Sequence, residues 1–117
     1  MDKSYMIYAV DFDGTLCEDQ FPAIGKPNTS LIEYLARKRI EGDKLILWTC
    51  RVGERLQEAV RWCREYGLEF DAVNENLPEM IKKYGADCRK VFADIYIEDR
   101  AVSNAVYNIP YHADEGL

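Results

Sequence analysis

The sequence predicts an α/β domain of three layers, a parallel sheet held between helices. Three observations carry this. Short oily runs alternate along the chain with segments of helical periodicity. The first run, Tyr5–Val10, is apolar throughout, as a strand covered on both faces must be. Strand, helix, strand, helix, strand in that order implies right-handed crossovers between parallel strands.

The elements follow in turn. Tyr5–Val10 is the first strand, and a Gly- and Pro-containing loop runs from Gly14 to Asn28. Asp13-Gly14 after an apolar run is also a hairpin-turn signal. However, Cys17-Glu18-Asp19-Gln20 does not alternate as a strand should, so the segment is read as a loop. The first helix spans about Thr29–Glu41: Ser30 and Glu33 have capping-box spacing, Leu31, Ile32, Leu35, Ala36 and Ile40 recur at helical intervals, and Gly42 stops it. Lys44–Trp48 is the second strand. The second helix covers about Glu54–Tyr66, with Leu56, Ala59, Val60 and Cys63 on one face and Gly67 at its end. Glu69–Val73 is the third strand, a short helix lies around Pro78–Tyr84, and Ala93–Ile97 is the fourth strand. Ala105–Ile109 is a candidate short edge strand.

Parallel α/β sheets bind ligands beyond the carboxyl ends of their strands. The residues standing there are Asp11 and Asp13 after strand one, Thr49 and Arg51 after strand two, Asn74 and Asn76 after strand three, and Glu98, Asp99 and Arg100 after strand four. Asp11 and Asp13 are two carboxylates one residue apart, a repulsive arrangement unless something offsets it. Carboxylates converging from two strands form a hard-oxygen site that suits Mg²⁺, which takes one or two protein carboxylates and completes its shell with water and phosphate. A carboxylate beside such an ion can attack phosphorus, and a second can move the proton. Hydroxyl and cationic groups then stabilise the phosphoryl oxygens.

With these residues in place the chain resembles the haloacid dehalogenase (HAD) superfamily of phosphohydrolases, as a small member without a cap domain. Asp11-Phe12-Asp13-Gly14-Thr15 matches the DxDGT signature, Thr49 after Leu45-Ile46-Leu47-Trp48 matches the second motif, and Glu98-Asp99 after Asp94-Ile95-Tyr96-Ile97 looks like the acidic fourth motif. The resemblance implies a Rossmann-like sheet of strand order 5-4-1-2-3, the last strand short or absent. It implies Asp11 as nucleophile and metal ligand, and Asp13 as general acid/base with its carbonyl on the metal. Thr49 would be the phosphoryl-holding hydroxyl and Asp99 a further metal ligand. Its third motif is a lysine: Lys90 is first in line, with Lys82 and Lys83 behind it. Glu98 replaces the first of two aspartates in many relatives, so it would contact metal-bound water or fix a neighbour. Thr49-Cys50-Arg51 and Glu98-Asp99-Arg100 also look like segments of polynucleotide kinase-phosphatase domains, which suggests Arg51 as a phosphate clamp. Gly14 and Thr15 complete the candidate substrate contacts.

The remaining composition sets bounds. A chain of 117 residues, 48% hydrophobic, suits one domain; the intervals 14–28 and 74–90 are too short for an inserted cap, leaving an open site. A net charge of −6 without basic blocks speaks against nucleic acid as a general partner. It leaves sugar phosphates, nucleotides, phosphoproteins and the phosphate at a nucleic-acid end as substrate classes, and leaves room for an oligomer. No apolar run reaches the roughly 18 residues of a membrane span, and MDKSYMIYAV lacks a signal-peptide core, which predicts a cytoplasmic protein. Cys17, Cys50, Cys63 and Cys88 read as reduced thiols, and His112 as exposed. The competing functions are a receiver-like phosphoacceptor module and a non-catalytic phosphate- or metal-binding protein. The first lacks an acceptor aspartate after the middle strands, where Thr49 and Asn74 stand.

Overall fold

The structure, a computed structural model, describes residues 4–85 and 91–98. Its elements are β1 (Ile7–Val10), β2 (Cys17–Gln20), β3 (Ala23–Pro27), α1 (Thr29–Ile40), β4 (Lys44–Leu47), α2 (Gly53–Glu65), β5 (Ala72–Val73), α3 (Pro78–Tyr84) and β6 (Ile95–Ile97). The main sheet is parallel with order β5-β4-β1-β6. Counted along the chain, the four parallel strands among the described residues stand 4-1-2-3, in agreement with the expected order. Ala105–Ile109 lies outside the described residues.

All four residues of β1 are buried, and they divide by parity. Tyr8 and Val10 join Leu31, Leu35, Leu45, Leu47, Ala59, Cys63 and Ile97 in a core beneath α1 and α2. Ile7 and Ala9 join Ile46, Ala72, Leu77 and Met80 in a second core beneath α3. A strand covered on both faces has no solvated side, so its sequence carries no polar alternation. The three layers follow from these two cores.

Two local expectations are corrected. Segment 14–28 is not a plain loop: β2 and β3 pair antiparallel, with a register shift between Cys17 and Asp19 and a cis Phe21–Pro22 bond at the turn. The strand was unreadable because Cys17 alone faces the core while Glu18, Asp19 and Gln20 are exposed, leaving no apolar alternation. The turn that joins the strands lies at Phe21-Pro22 and not at Asp13-Gly14. The N-cap of α1 is Asn28, not Ser30: its Oδ1 accepts from the Leu31 amide at 3.4 Å while its Nδ2 donates to the Thr15 carbonyl at 3.0 Å. Helix α3 matches its expected span, and Gly85 at φ 74° closes it in a left-handed conformation that glycine adopts without strain.

Candidate active site

The site begins where β1 ends. The Asp11 amide donates to the Ile97 carbonyl at 2.9 Å, carrying the β1–β6 ladder one residue past the strand. On the other side, the Trp48 amide donates to the Val10 carbonyl at 2.9 Å, which brings Thr49 level with Asp11. Asp11, Trp48, Thr49, Cys50, Ile97 and Glu98 therefore line one cleft of about 330 Å³ at the carboxyl ends of three adjacent strands. Within it the Asp11 Oδ1 accepts from the Phe12 amide at 2.8 Å, orienting the carboxylate.

Thr49 is anchored from both sides. Its amide donates to the Asn74 Oδ1 at 2.8 Å, and its Oγ1 accepts from the Arg51 amide at 3.2 Å. An oxygen that accepts from the backbone still has its own O–H to donate. Thr49 does not cap the following helix, because the N-cap of α2 is Val52. Asn74 holds φ at +55°, a region where Asn is among the better tolerated residues, and so aims its side chain back at Thr49. The sequence marked Asn74 only as a strand-end turn former; its role in fixing Thr49 needed the β4–β5 pairing to become visible. Asn76 is buried and serves the backbone too, its Oδ1 accepting from the Phe92 amide at 2.6 Å.

Asp13 and Arg51 come together beside this cleft and not among the residues that line it, the arginine buried and the aspartate half-buried. Arg51 Nε donates to Asp13 Oδ2 at 2.9 Å and Nη2 to Asp13 Oδ1 at 2.8 Å, a two-pronged pair. The Arg51 side chain is 1% exposed and that of Asp13 19%. The Asp13 carboxylate hydrogen-bonded to it pushes the Arg51 pKa above its ordinary value. Arg51 thus does not line the cleft as an open phosphate clamp; in this structure its fork is taken up by Asp13.

Gly14 and Thr15 also depart from the expected arrangement. Gly14 has φ 82°, and the Thr15 and Leu16 amides both donate to the Phe12 carbonyl. This tight turn leads the chain away from Asp11, and both residues line a separate depression of about 370 Å³ with Cys17, Glu18, Lys26, Pro27 and Asn28. The Thr15 Oγ1 is buried with no hydrogen-bond partner among the described residues. Lys82 and Lys83 are exposed on the last turn of α3 and do not line the Asp11 cleft. Lys90, Asp99, Arg100, Cys88 and His112 lie outside the described residues.

Among the described residues no three acidic, His or Cys side chains gather around one point. Those present nonetheless fit Mg²⁺: Asp11 and Glu98 bring two carboxylates to the same cleft, and this ion takes one or two of them as hard oxygen ligands.

No protein-family model and no curated protein matches the chain. Among solved structures, the chain is similar to a conserved protein of Bacteroides thetaiotaomicron. The two are 39% identical, the match covers 94% of this chain and 93% of that one, and the TM-score is 0.77.

Proposed function

The chain belongs to one family with the conserved Bacteroides thetaiotaomicron protein, and for this fold we propose a Mg²⁺-dependent phosphomonoester hydrolase of the HAD type, working through a phosphorylated Asp11. One observation carries the reading: Asp11, Thr49 and Glu98, far apart in sequence, line a single cleft at the carboxyl ends of β1, β4 and β6. A receiver-like module would need its acceptor aspartate after the second or third parallel strand counted along the chain, where Thr49 and Asn74 stand.

The residues divide the work as follows. The Asp11 carboxylate attacks phosphorus in line with the leaving alcohol, forming an acyl phosphate as the ester P–O bond breaks. The Thr49 O–H donates to a non-bridging phosphoryl oxygen as charge builds there. Asp13, which the pair with Arg51 shows as the carboxylate, would first take up a proton from solvent, then give it to the departing oxygen and later take one from the water that cleaves the phospho-aspartate. Bound Mg²⁺, which Asp11, the Asp13 carbonyl and Asp99 would hold with Glu98 against its water, would offset the repulsion between these acids and the phosphate. Lys90 is the proposed cationic partner of the phosphoryl group.

The test is hydrolysis of a phosphoester panel with Mg²⁺, comparing wild type with Asp11→Asn. The wild type should turn over, the variant should lose at least about 1000-fold of kcat, and rapid quenching should find phosphate on the Asp11 peptide. Turnover that survives Asp11→Asn, or phosphate on another residue, excludes this chemistry. Mg²⁺ binding with no turnover across the panel would instead favour a silent phosphate- or metal-binding protein.

A further inference from the structure

Arg51 has the residue type of a phosphate ligand but not the surroundings of one. Its guanidinium carries five N–H donors, and four of them have acceptors inside the protein. Two go to Asp13, Nη2 also donates to the Ala23 carbonyl at 3.1 Å, and Nη1 donates to the Arg55 carbonyl at 3.5 Å. The flat group is also covered, with its Cζ 5.0 Å from the Phe12 ring centre and 5.0 Å from that of Phe21. A planar fork gripping both oxygens stops the Asp13 carboxylate from turning about its own bond. Ala23 and Phe21 belong to the β2–β3 turn region, so the grip is anchored in the hairpin.

We propose that Arg51 is a positioning residue for Asp13: it holds that carboxylate on both oxygens, ties it to the β2–β3 turn, and does not touch the transferring phosphoryl. The inference rests on Asp13 acting as the proton donor, as assigned above. It differs from a clamp in what it makes Arg51 do. A clamp binds phosphate equally for every ester. A residue that aims a proton donor matters most when the leaving group cannot depart without a proton. An alkyl phosphate expels a strongly basic alkoxide, whereas p-nitrophenyl phosphate expels a stabilised anion.

The experiment uses the full chain with Mg²⁺ and the variants Arg51→Lys and Phe21→Ala. Lysine keeps the charge but cannot grip both oxygens. Phe21→Ala removes one cover from the guanidinium and leaves both charges in place, which keeps the test open if Arg51→Lys does not fold. Each is assayed on an alkyl phosphate and on p-nitrophenyl phosphate, with inorganic phosphate as competitive inhibitor. Arg51→Lys should lose about 100-fold of kcat on the alkyl ester and only a few-fold on the p-nitrophenyl ester. The inhibition constant for phosphate should stay within about twofold, since ground-state binding is untouched. Phe21→Ala should shift the same ratio in the same direction, by less. Phosphate inhibition weakened about tenfold, with both esters slowed alike, would make Arg51 a phosphate ligand and overturn the proposal. Equal slowing with unchanged phosphate inhibition would leave Arg51 a merely structural residue and overturn it too. A wild type that hydrolyses nothing removes the Asp11 chemistry itself and this inference with it, an outcome distinct from the other two.

Discussion

Asp13 and Arg51 carry opposite charges, and the arginine is almost wholly out of water. Taking charge out of water is costly, and the gain from pairing offsets that cost only while both partners are present. Asp13→Ala should therefore lower the free energy of unfolding by about 3 kcal/mol, the lower end for a broken buried pair because Asp13 keeps some exposure. Urea unfolding measures this, and adding Arg51→Met should recover part of the loss by removing the stranded charge. Asn74 makes a second residue-scale case, since it combines a positive φ with a hydrogen bond to Thr49. Asn74→Ala should cost about 1–2 kcal/mol through strain and the lost bond. Asn74→Gly accepts the backbone and loses only the bond, so it should cost less. The placement of Asp11 and Thr49 was legible at this scale, because each follows an apolar run. The Asp13–Arg51 pairing was not, because 38 residues separate the partners and an arginine's choice of anion depends on what surrounds it in space.

Helix α1 and the β2–β3 hairpin show how elements are decided. Ser30 has the spacing of a cap, yet Asn28 takes the role because it also bonds the Thr15 carbonyl, coupling the helix start to the turn after Asp13. Asn28→Ala should cost about 1 kcal/mol or more, while Ser30→Ala should stay within about 0.5 kcal/mol, in thermal or urea unfolding. In the hairpin, a Cβ on Gly25 would meet the Glu18 carbonyl at 2.4 Å, too close for the paired strands to keep their spacing. Gly25→Ala should destabilise by about 1–3 kcal/mol, and amide exchange should quicken in β2 and β3 first. Helices α2 and α3 were legible from periodicity and glycine stops. The hairpin was hidden because its strands are mostly exposed, and pairing between backbones leaves no apolar signature.

Across the whole molecule, distant segments are joined by a few polar contacts beyond the two cores. The Tyr5 hydroxyl donates to Glu79 at 2.7 Å, linking the start of the chain to α3. This bond pushes the Tyr5 pKa up to about 12 and, from the other side, holds Glu79 below its ordinary carboxylate value. Glu79's contribution to stability is present above the ordinary carboxylate range and fades as pH falls through its lowered value. Tyr5's contribution is complete below the ordinary tyrosine value and fades as pH rises through about 12. The Tm gap between wild type and Tyr5→Phe should thus be widest from mildly acidic to mildly alkaline pH and close at both extremes. A gap that is the same at every pH would assign the tyrosine's effect to packing. Mg²⁺ should stabilise the folded chain by about 2.7 kcal/mol at a hundredfold excess over its Kd. Melting curves with and without chelator read this, and Asp11→Ala should abolish it.

The order of apolar runs and helical stretches alone determined a parallel α/β sheet and which acids stand at its strand ends, because periodicity and burial are local properties of a chain. Tertiary structure alone decided which of those groups meet. Asp11, Thr49 and Glu98 share a cleft because β1 lies between β4 and β6, while Arg51 turns inward to Asp13 because the hairpin closes over it. A buried ion selects its partner by distance and dielectric, and both come into being only when the chain has folded.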